Sequence, residues 1–410
     1  NLNWGRPLKS ILSVFDKKMI NFKFHHIRSS NSTYIDSKLE EKKKIFLDFK
    51  SYQKFLKKQG TIVDQNKRRE FINREFTQIL TKRKLVIKDD PKLLDEVVDL
   101  VEKPNILLCN FDKKFLSIPE EILSLTMQSH QKYFPIYNKK NEVTNEFLIV
   151  ANQKDTKGLI KSGNESVIEA RLSDAEFFWN KDKNQNLVKK VSELKSIIFF
   201  KGLGTYFDKV QRMRKLGGII SDELMISKEK VELSASICKT DLTSDLVGEF
   251  PELQGILGGY FSSNQGFDSD ISLAITEQYL PLGPNSKIPK KPFSIALSLT
   301  DKIDTLVGFF SINEKPTSSK DPFALRRTTL GIIRTIIENK KDLKLNDLLN
   351  YSSNLYHDQG YDFSNKDFMK DVQHFLKDRF RYYLKEKQIR FDIVDASTST
   401  FSLNKLFSTF

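Results

Sequence analysis

Three arginines on one predicted helix have the chemistry to hold phosphate. Arg326, Arg327 and Arg334 follow Asp321 and Pro322 in the segment KDPFALRRTTLGIIRTI. Asp321 can accept hydrogen bonds from the first free backbone N–H groups of a helix, and Pro322 suits the first turn because its missing donor costs nothing there. Guanidinium groups bind phosphate oxygens bidentately. The spacing therefore predicts a cationic strip beside the buried face of this helix.

Lys320 extends this cationic strip to the predicted start of the helix. Its ammonium would stand beside oriented backbone N–H groups, an arrangement that suits an RNA backbone. The alternative is an ordinary solvated surface, because charged residues are common on exposed helix faces.

A second candidate site lies next to a predicted strand. His130, Lys132 and Tyr133 offer an imidazole, a cation and a ring, a combination compatible with contacts to single-stranded RNA. The alternative is a strand in which Tyr133 and Tyr137 only pack.

Arg171 lies on a helix that we predict to begin with Asn164 as its cap. Asp174 follows three residues later, so the two side chains are expected to form an ion pair. Contact between Arg171 and RNA is the alternative.

Three aspartates stand where a metal-dependent enzyme could hold its cations. KTDL at Lys239 and TDKID at Thr300 resemble the metal-binding signatures of the HD phosphohydrolase superfamily. A working centre needs several His and Asp donors, yet position 239 is Lys and no His occurs between His130 and His357. We therefore predict no metal site and no catalytic residue in this chain. The aspartates expected to act as helix caps or salt-bridge partners instead are Asp241, Asp301 and Asp304.

The sequence has none of the short signatures of ATP activation. HIGH, KMSKS and GxxxxGK[ST] motifs do not occur. In KGLGT, Gly202 and Gly204 precede a predicted helix, but Phe207 stands where a dinucleotide fingerprint requires its third glycine. We interpret KGLGT as a turn and expect this chain to bind no cofactor.

Composition favours an extended polyanionic partner over a small neutral substrate. The 410 residues include 67 Lys and Arg against 53 Asp and Glu, a net charge of +14. Cys109 and Cys238 indicate neither a disulfide framework nor a CxxC site, and no apolar run reaches the roughly 18 residues of a membrane helix. These features predict a cytoplasmic protein without a membrane partner.

The chain is longer than one hydrophobic core usually covers, so we predict a multidomain α+β fold. Short apolar runs around Asp16 predict a β-hairpin, and Phe368 to Lys385 predict a late amphipathic helix. The predicted divisions are a β-rich segment of a domain begun upstream (1–40), a basic helical segment (41–103), an α+β domain (104–186), a mostly helical HD-like domain with a degenerate metal site (187–345) and a helical C-terminal segment (346–410).

Longer motifs carry a resemblance to a known family. These motifs are, in chain order, WGRP at Trp4, MQSHQKYFPIY at Met127, GNESVIEARLSDAEFFW at Gly163, DLVGEFPELQGILGGY at Asp245 and the stretch from Leu297 to Ile337. Together they resemble the β subunit of bacterial glycyl-tRNA synthetase. Collinear matches of this length are far more specific than any short motif.

The resemblance implies a fragment that lacks the N-terminal part and the C-terminal anticodon-binding domain of that family. It implies a glycine–tRNA ligase of two α and two β chains, in which the α subunit uses ATP and Mg²⁺ and the β subunit binds tRNA(Gly) and no DNA. Two other hypotheses are an HD-type metal phosphohydrolase and a standalone basic RNA-binding protein.

Overall fold

The computed structural model describes residues 8, 10–37, 40–317, 319–361, 363, 367–390 and 392–394, and covers only the backbone at 34–37 and 40–42. The WGRP motif lies outside the described residues. The chain forms two compact units, 1–174 and 175–410, and the boundary falls within one helix, α5.

The first unit contains short strands, one four-stranded sheet and helices. Its strands are β1 (Ile11–Leu12), β2 (Val14–Phe15), β3 (Lys18–Met19), β4 (Lys23–Phe24), β5 (Ile27–Ser30), β6 (Ser32–Ser37), β7 (Glu40–Ile45), β8 (Val86–Ile87), β9 (Asn105–Asn110), β10 (Phe134–Tyr137) and β11 (Val143–Ala151). Its helices are α1 (Phe49–Lys58), α2 (Gln65–Arg83), α3 (Pro91–Leu100), α4 (Glu120–Leu125) and the start of α5 (Leu159–Asp182).

The predicted hairpin forms around Asp16. Strands β2 and β3 pair antiparallel, and Asp16 and Lys17 have φ angles of 46° and 62°, the left-handed conformation that tight hairpin turns require. The apolar run after it forms a second hairpin from β4 and β5, so the region contains two hairpins where one was predicted.

The four-stranded antiparallel sheet has the order β8-β10-β11-β9, and α2 and α3 pack on it. Ile72 and Phe76 of α2 and Val98 of α3 share one core with Phe134 and Leu148 of the sheet. This core joins residues on both sides of the predicted division at 103/104.

One apolar run with strand-like alternation forms a helical turn instead. KFLSI forms a turn of 3₁₀ helix, Lys113–Ser117, because Asp112 accepts a hydrogen bond from the backbone N–H of Lys114 and Phe115 turns into the core. Apolar alternation alone does not distinguish the two structures.

The second unit is mostly helical, as predicted. It contains α6 (Leu187–Lys190), α7 (Tyr206–Leu224), α8 (Lys228–Ile237), α9 (Asp245–Glu249), α10 (Ile256–Asn264), α11 (Ser269–Glu277), α12 (Pro292–Ser311), α13 (Leu325–Glu338), α14 (Leu345–Asp358) and α15 (Phe368–Glu386), with the small strands β12 (Ile198–Phe200) and β13 (Gly204–Thr205). Helix α12 is buried along almost its whole length, and α7, α8, α11, α13, α14 and α15 pack around it.

The turn in KGLGT is confirmed. Gly202 and Gly204 have φ angles of 88° and 81°, a conformation that favours glycine, and they connect β12 to β13. Thr205 and Asp208 then form a reciprocal capping box that starts α7.

Candidate functional site

A cleft of about 650 Å³ in the second unit combines aromatic walls with charged side chains. Its lining includes the buried residues Lys209, Lys239 and Lys302 and the exposed residue Arg327. The rings that line it are those of Phe199, Tyr206, Tyr279 and Phe323. The cleft therefore brings the predicted HD-like positions and the start of the predicted cationic strip into one site.

Helices α7 and α12 contribute oppositely charged groups to the interior beside this cleft. Lys209 and Arg212 are three residues apart on α7, and Asp301 and Asp304 are three apart on α12, so each pair lies on one helix face. The packing of α7 on α12 brings the two faces together.

Asp304 is fully buried and held by Arg212. The Nε of Arg212 is 2.7 Å from Oδ1 of Asp304, and the Nη2 of Arg212 is 3.2 Å from Oδ2. Burial opposes ionisation, but Arg212 and Lys209 hold the pKa of Asp304 below its usual value. The Arg212 guanidinium also stacks 3.7 Å from the centre of the Tyr356 ring.

Asp301 is paired with two ammonium groups. Its Oδ1 lies 3.2 Å from Nζ of Lys209 and 3.0 Å from Nζ of Lys239. The ammonium of Lys239 therefore places a positive charge directly beside Asp301, which disfavours a divalent cation there. The prediction that Asp301 and Asp304 are salt-bridge partners is confirmed, and no cluster of three or more His, Cys, Asp or Glu side chains suited to a metal occurs in the described part of the chain.

Asp241 has a different role from the other two carboxylates. It is buried after α8 and accepts a hydrogen bond from the backbone N–H of Gly255. Burial raises the pKa of Asp241 to about 6, although the Gly255 N–H and Lys239 oppose that rise.

Lys302 is a buried cation with neutral partners. Its ammonium donates to the backbone oxygen of Leu280 at 2.6 Å and to Oγ of Ser298 at 3.0 Å. Burial lowers the pKa of Lys302 to about 7 despite the nearby Asp301 carboxylate.

Helix α13 begins later than predicted. Its first residue is Leu325, so Pro322 lies before the helix, and Ala324 has a left-handed φ of 55°. Asp321 does accept hydrogen bonds from helix N–H groups, those of Leu325 at 2.8 Å and Arg326 at 3.0 Å.

The four residues of the predicted cationic strip have different surroundings. Lys320 and Arg327 are exposed, and Arg326 is half-buried and donates to the backbone oxygen of Thr317. Arg334 contradicts the predicted exposed strip. It is buried, donates to the backbone oxygens of Gly283 and Ser286, and pairs with Glu338 at 2.9 Å.

The predicted group in the first unit does not form a stacking surface. His130 is exposed and Lys132 pairs with Glu96, but Tyr133 is buried, stacks on Phe147 and donates to Asn164 at 2.6 Å. Burial raises the pKa of Tyr133 to about 12. The structure thus places Tyr133 in the core, as the packing alternative required.

Arg171 is exposed on α5, and no ion pair joins it to Asp174 among the described residues. The predicted pair is therefore absent there. Asn164 does not cap the helix, because α5 begins at Leu159 and Asn164 lies inside it, donating to the backbone oxygen of Ile160.

Sequence reasoning missed Lys209, Arg212 and Lys302 as members of this charged site. The available signal was the matching three-residue spacing of the cations on α7 and the aspartates on α12. That signal becomes specific only once the two helices are known to pack together.

The sequence of the chain matches the glycyl-tRNA synthetase beta subunit family over residues 1–399. The chain belongs to this family. The resemblance predicted from its motifs is confirmed.

Curated relatives agree with this membership. The glycine–tRNA ligase beta subunit of Rickettsia canadensis (strain McKiel) is 39% identical over 387 residues, which cover 94% of this chain and 56% of the relative. That of Syntrophomonas wolfei subsp. wolfei is 36% identical over 409 residues, 99% of this chain and 59% of the relative. The chain thus spans little more than half the length of these relatives. No helix among the described residues has the length and hydropathy needed to cross a membrane.

Proposed function

We propose that this chain is the tRNA-holding part of a glycine–tRNA ligase β subunit. It positions tRNA(Gly) for glycylation in an α subunit, which uses ATP and Mg²⁺, in a cytoplasmic complex of two α and two β chains. Membership of the β-subunit family over residues 1–399 is the observation that carries this proposal. The net charge of +14 supports it, because a polyanion is attracted to such a protein.

The residues proposed to contact tRNA are the accessible members of the predicted sets. In the second unit these are Lys320, Arg326 and Arg327, and in the first unit His130, Lys132 and Arg171. Arg334 and Tyr133 have structural roles in this proposal, because both are buried and their polar groups have partners inside the protein.

We further propose that the second unit derives from an HD-type fold in which ion pairs have replaced the metal centre. Asp301 and Asp304 are held by Lys209, Lys239 and Arg212. These contacts do not favour metal-dependent phosphohydrolase activity.

We also propose the five divisions of the chain that were predicted from its sequence.

Reconstitution tests the proposed role. The protein is purified with an α subunit, the native mass of the complex is measured, and glycylation of tRNA(Gly) is assayed with and without the protein. We expect a stoichiometric complex of two α and two β chains and a loss of glycylation when this protein is omitted. Unchanged glycylation without it would overturn the proposal.

A further inference from the structure

Lys239 is the least satisfied cation of the cleft. Its side chain is 1% exposed, yet its ammonium has one oxygen partner among the described residues, Oδ1 of Asp301 at 3.0 Å. The centre of the Tyr279 ring lies 4.0 Å away and covers another side. An ammonium carries three N–H donors, so donor capacity remains where Lys239 lines the cleft.

The two neighbouring lysines do not share this property. Lys209 contacts Asp301, Asp304 and Thr305 at 3.2, 3.1 and 2.8 Å. Lys302 donates to two backbone oxygens and to Ser298. Because these two ammonium groups are saturated, Lys239 is the buried cation able to accept a new anionic partner.

The buried charges around the cleft also favour an anionic ligand. The buried cations are Lys209, Arg212, Lys239 and Lys302, and the buried carboxylates are Asp241, Asp301 and Asp304. Four positive groups against three negative ones leave an excess of one positive charge when all are ionised, and this excess shrinks as Lys302, whose pKa is lowered to about 7, loses its proton. A buried charge without a counterion is costly, so an anion in the cleft would be stabilised.

The mouth of the cleft adds a second cation. Arg327 lines it, is exposed, and has no hydrogen bond or ion pair from its side chain within the part of the protein that the structure describes. Glu252 also lines the cleft, but it is exposed, so water and salt screen its charge more than they screen the buried cations.

We propose that this cleft binds a small phosphate-bearing molecule, with its phosphate on Lys239 and Arg327 and its organic part against the rings of Phe199, Tyr206 and Phe323. The volume of about 650 Å³ is in the range of small-molecule sites and accommodates a nucleoside monophosphate. This site is additional to the proposed role in tRNA positioning, and Arg327 is the residue assigned to both.

Calorimetric titration tests the proposal. The protein is titrated with inorganic phosphate and, separately, with AMP at constant ionic strength. We expect saturable binding of both, tighter for AMP. Lys239→Met and Arg327→Ala should each weaken AMP binding by about tenfold or more, because each removes a hydrogen bond to a charged group. Lys228→Ala removes an exposed cation outside the cleft and should leave AMP affinity unchanged.

Absence of saturable binding to the wild-type protein would overturn the proposal, as would a folded Lys239→Met variant with unchanged AMP affinity. If Lys239→Met does not fold, an unchanged affinity of Arg327→Ala for AMP would also overturn the proposal. A parallel measurement of tRNA affinity separates the sources of phosphate, because Lys239 belongs to the cleft alone. Loss of AMP binding in Lys239→Met with unchanged tRNA affinity supports the small-molecule site, whereas an equal loss of AMP and tRNA affinity in Lys239→Met would assign the cleft to RNA and overturn the proposal.

Discussion

Arg334 illustrates how burial changes the role of a residue. Its guanidinium donates to the backbone oxygens of Gly283 and Ser286, both at 3.0 Å, and pairs with Glu338. Burial raises the pKa of Glu338, but Arg334 has a larger effect in the opposite direction. The pKa of Glu338 is therefore below its usual value. These contacts join the loop before α12 to helix α13.

We predict that Arg334→Ala lowers the free energy of unfolding by about 2–3 kcal/mol, because it leaves buried acceptors without a donor. Arg327→Ala is the matched control on the same helix, and its exposed side chain predicts a change within about 0.5 kcal/mol. Urea unfolding of both variants measures the difference. Equal stability of Arg334→Ala and the wild type would contradict the structural role.

Asp301 should make the protein sensitive to acid. Burial raises the pKa of Asp301, but the opposing effect of Lys209, Lys239 and Lys302 is larger. The pKa of Asp301 is therefore below its ordinary range. Near pH 4 and below, the unfolded carboxyl therefore binds protons that the folded one does not. The stability contributed by Asp301 is present above about pH 4 and is lost as the pH falls through the folded pKa.

Asp301→Asn should destabilise the protein at pH 7, because Lys209 and Lys239 lose a charged partner. The difference in stability from the wild type should shrink as the pH falls below about 4. Urea unfolding at a series of pH values checks this. A difference that stays constant down to pH 2 would show that Asp301 does not carry the expected linkage.

At the scale of elements, the close approach of α12 and α14 requires a small residue. A Cβ at Gly308 would lie 2.2 Å from the hydroxyl oxygen of Tyr356 and 2.8 Å from its Cζ. The ring of Tyr356 cannot retreat easily, because its hydroxyl is hydrogen-bonded to Arg212 and to the backbone oxygen of Asp304.

We predict that Gly308→Ala destabilises the protein by about 1–3 kcal/mol through overpacking, although alanine favours helices. The control is Gly163→Ala on α5, where a Cβ meets nothing within 4 Å. That variant should gain about 0.5–1 kcal/mol from helix propensity. Thermal unfolding compares the two, and a neutral Gly308→Ala would mean that α14 shifts without penalty.

At the scale of the whole molecule, the charge of +14 governs encounters with RNA. Binding of a polyanion releases counterions, and each phosphate contact contributes about 0.7–0.9 to the slope of log affinity against log salt. The proposed tRNA contacts on the second unit are separated in sequence from those on the first, so each set can be tested independently.

We predict that replacing Arg326 and Arg327 together by Ala weakens tRNA affinity and reduces the magnitude of its salt slope by up to about 2. Lys228→Ala, an exposed cation outside the strip, serves as the control. Filter binding at several salt concentrations gives the slopes, and circular dichroism checks folding. An unchanged slope would remove these arginines from the proposed contacts.

The sequence by itself determined the features that depend on local chemistry or on long collinear motifs. It identified the family, the turn at Gly202 and Gly204, the hairpin turn after Val14–Phe15 and the mostly helical second half. It also predicted Asp301 as a salt-bridge partner, because position 239 in the HD-like signature is Lys and not a metal ligand. In each case the deciding information is in neighbouring residues or in a pattern long enough to be unique.

Only the tertiary structure decided which charges face water. Arg327 and Arg334 are seven residues apart and share a helix face by periodicity, yet a loop near Gly283 covers Arg334 and leaves Arg327 exposed. Likewise, Lys239 and Asp301 meet although 62 positions separate them in the chain. Helical spacing fixes the direction of a side chain, whereas its burial and its partner depend on distant segments that only packing brings near.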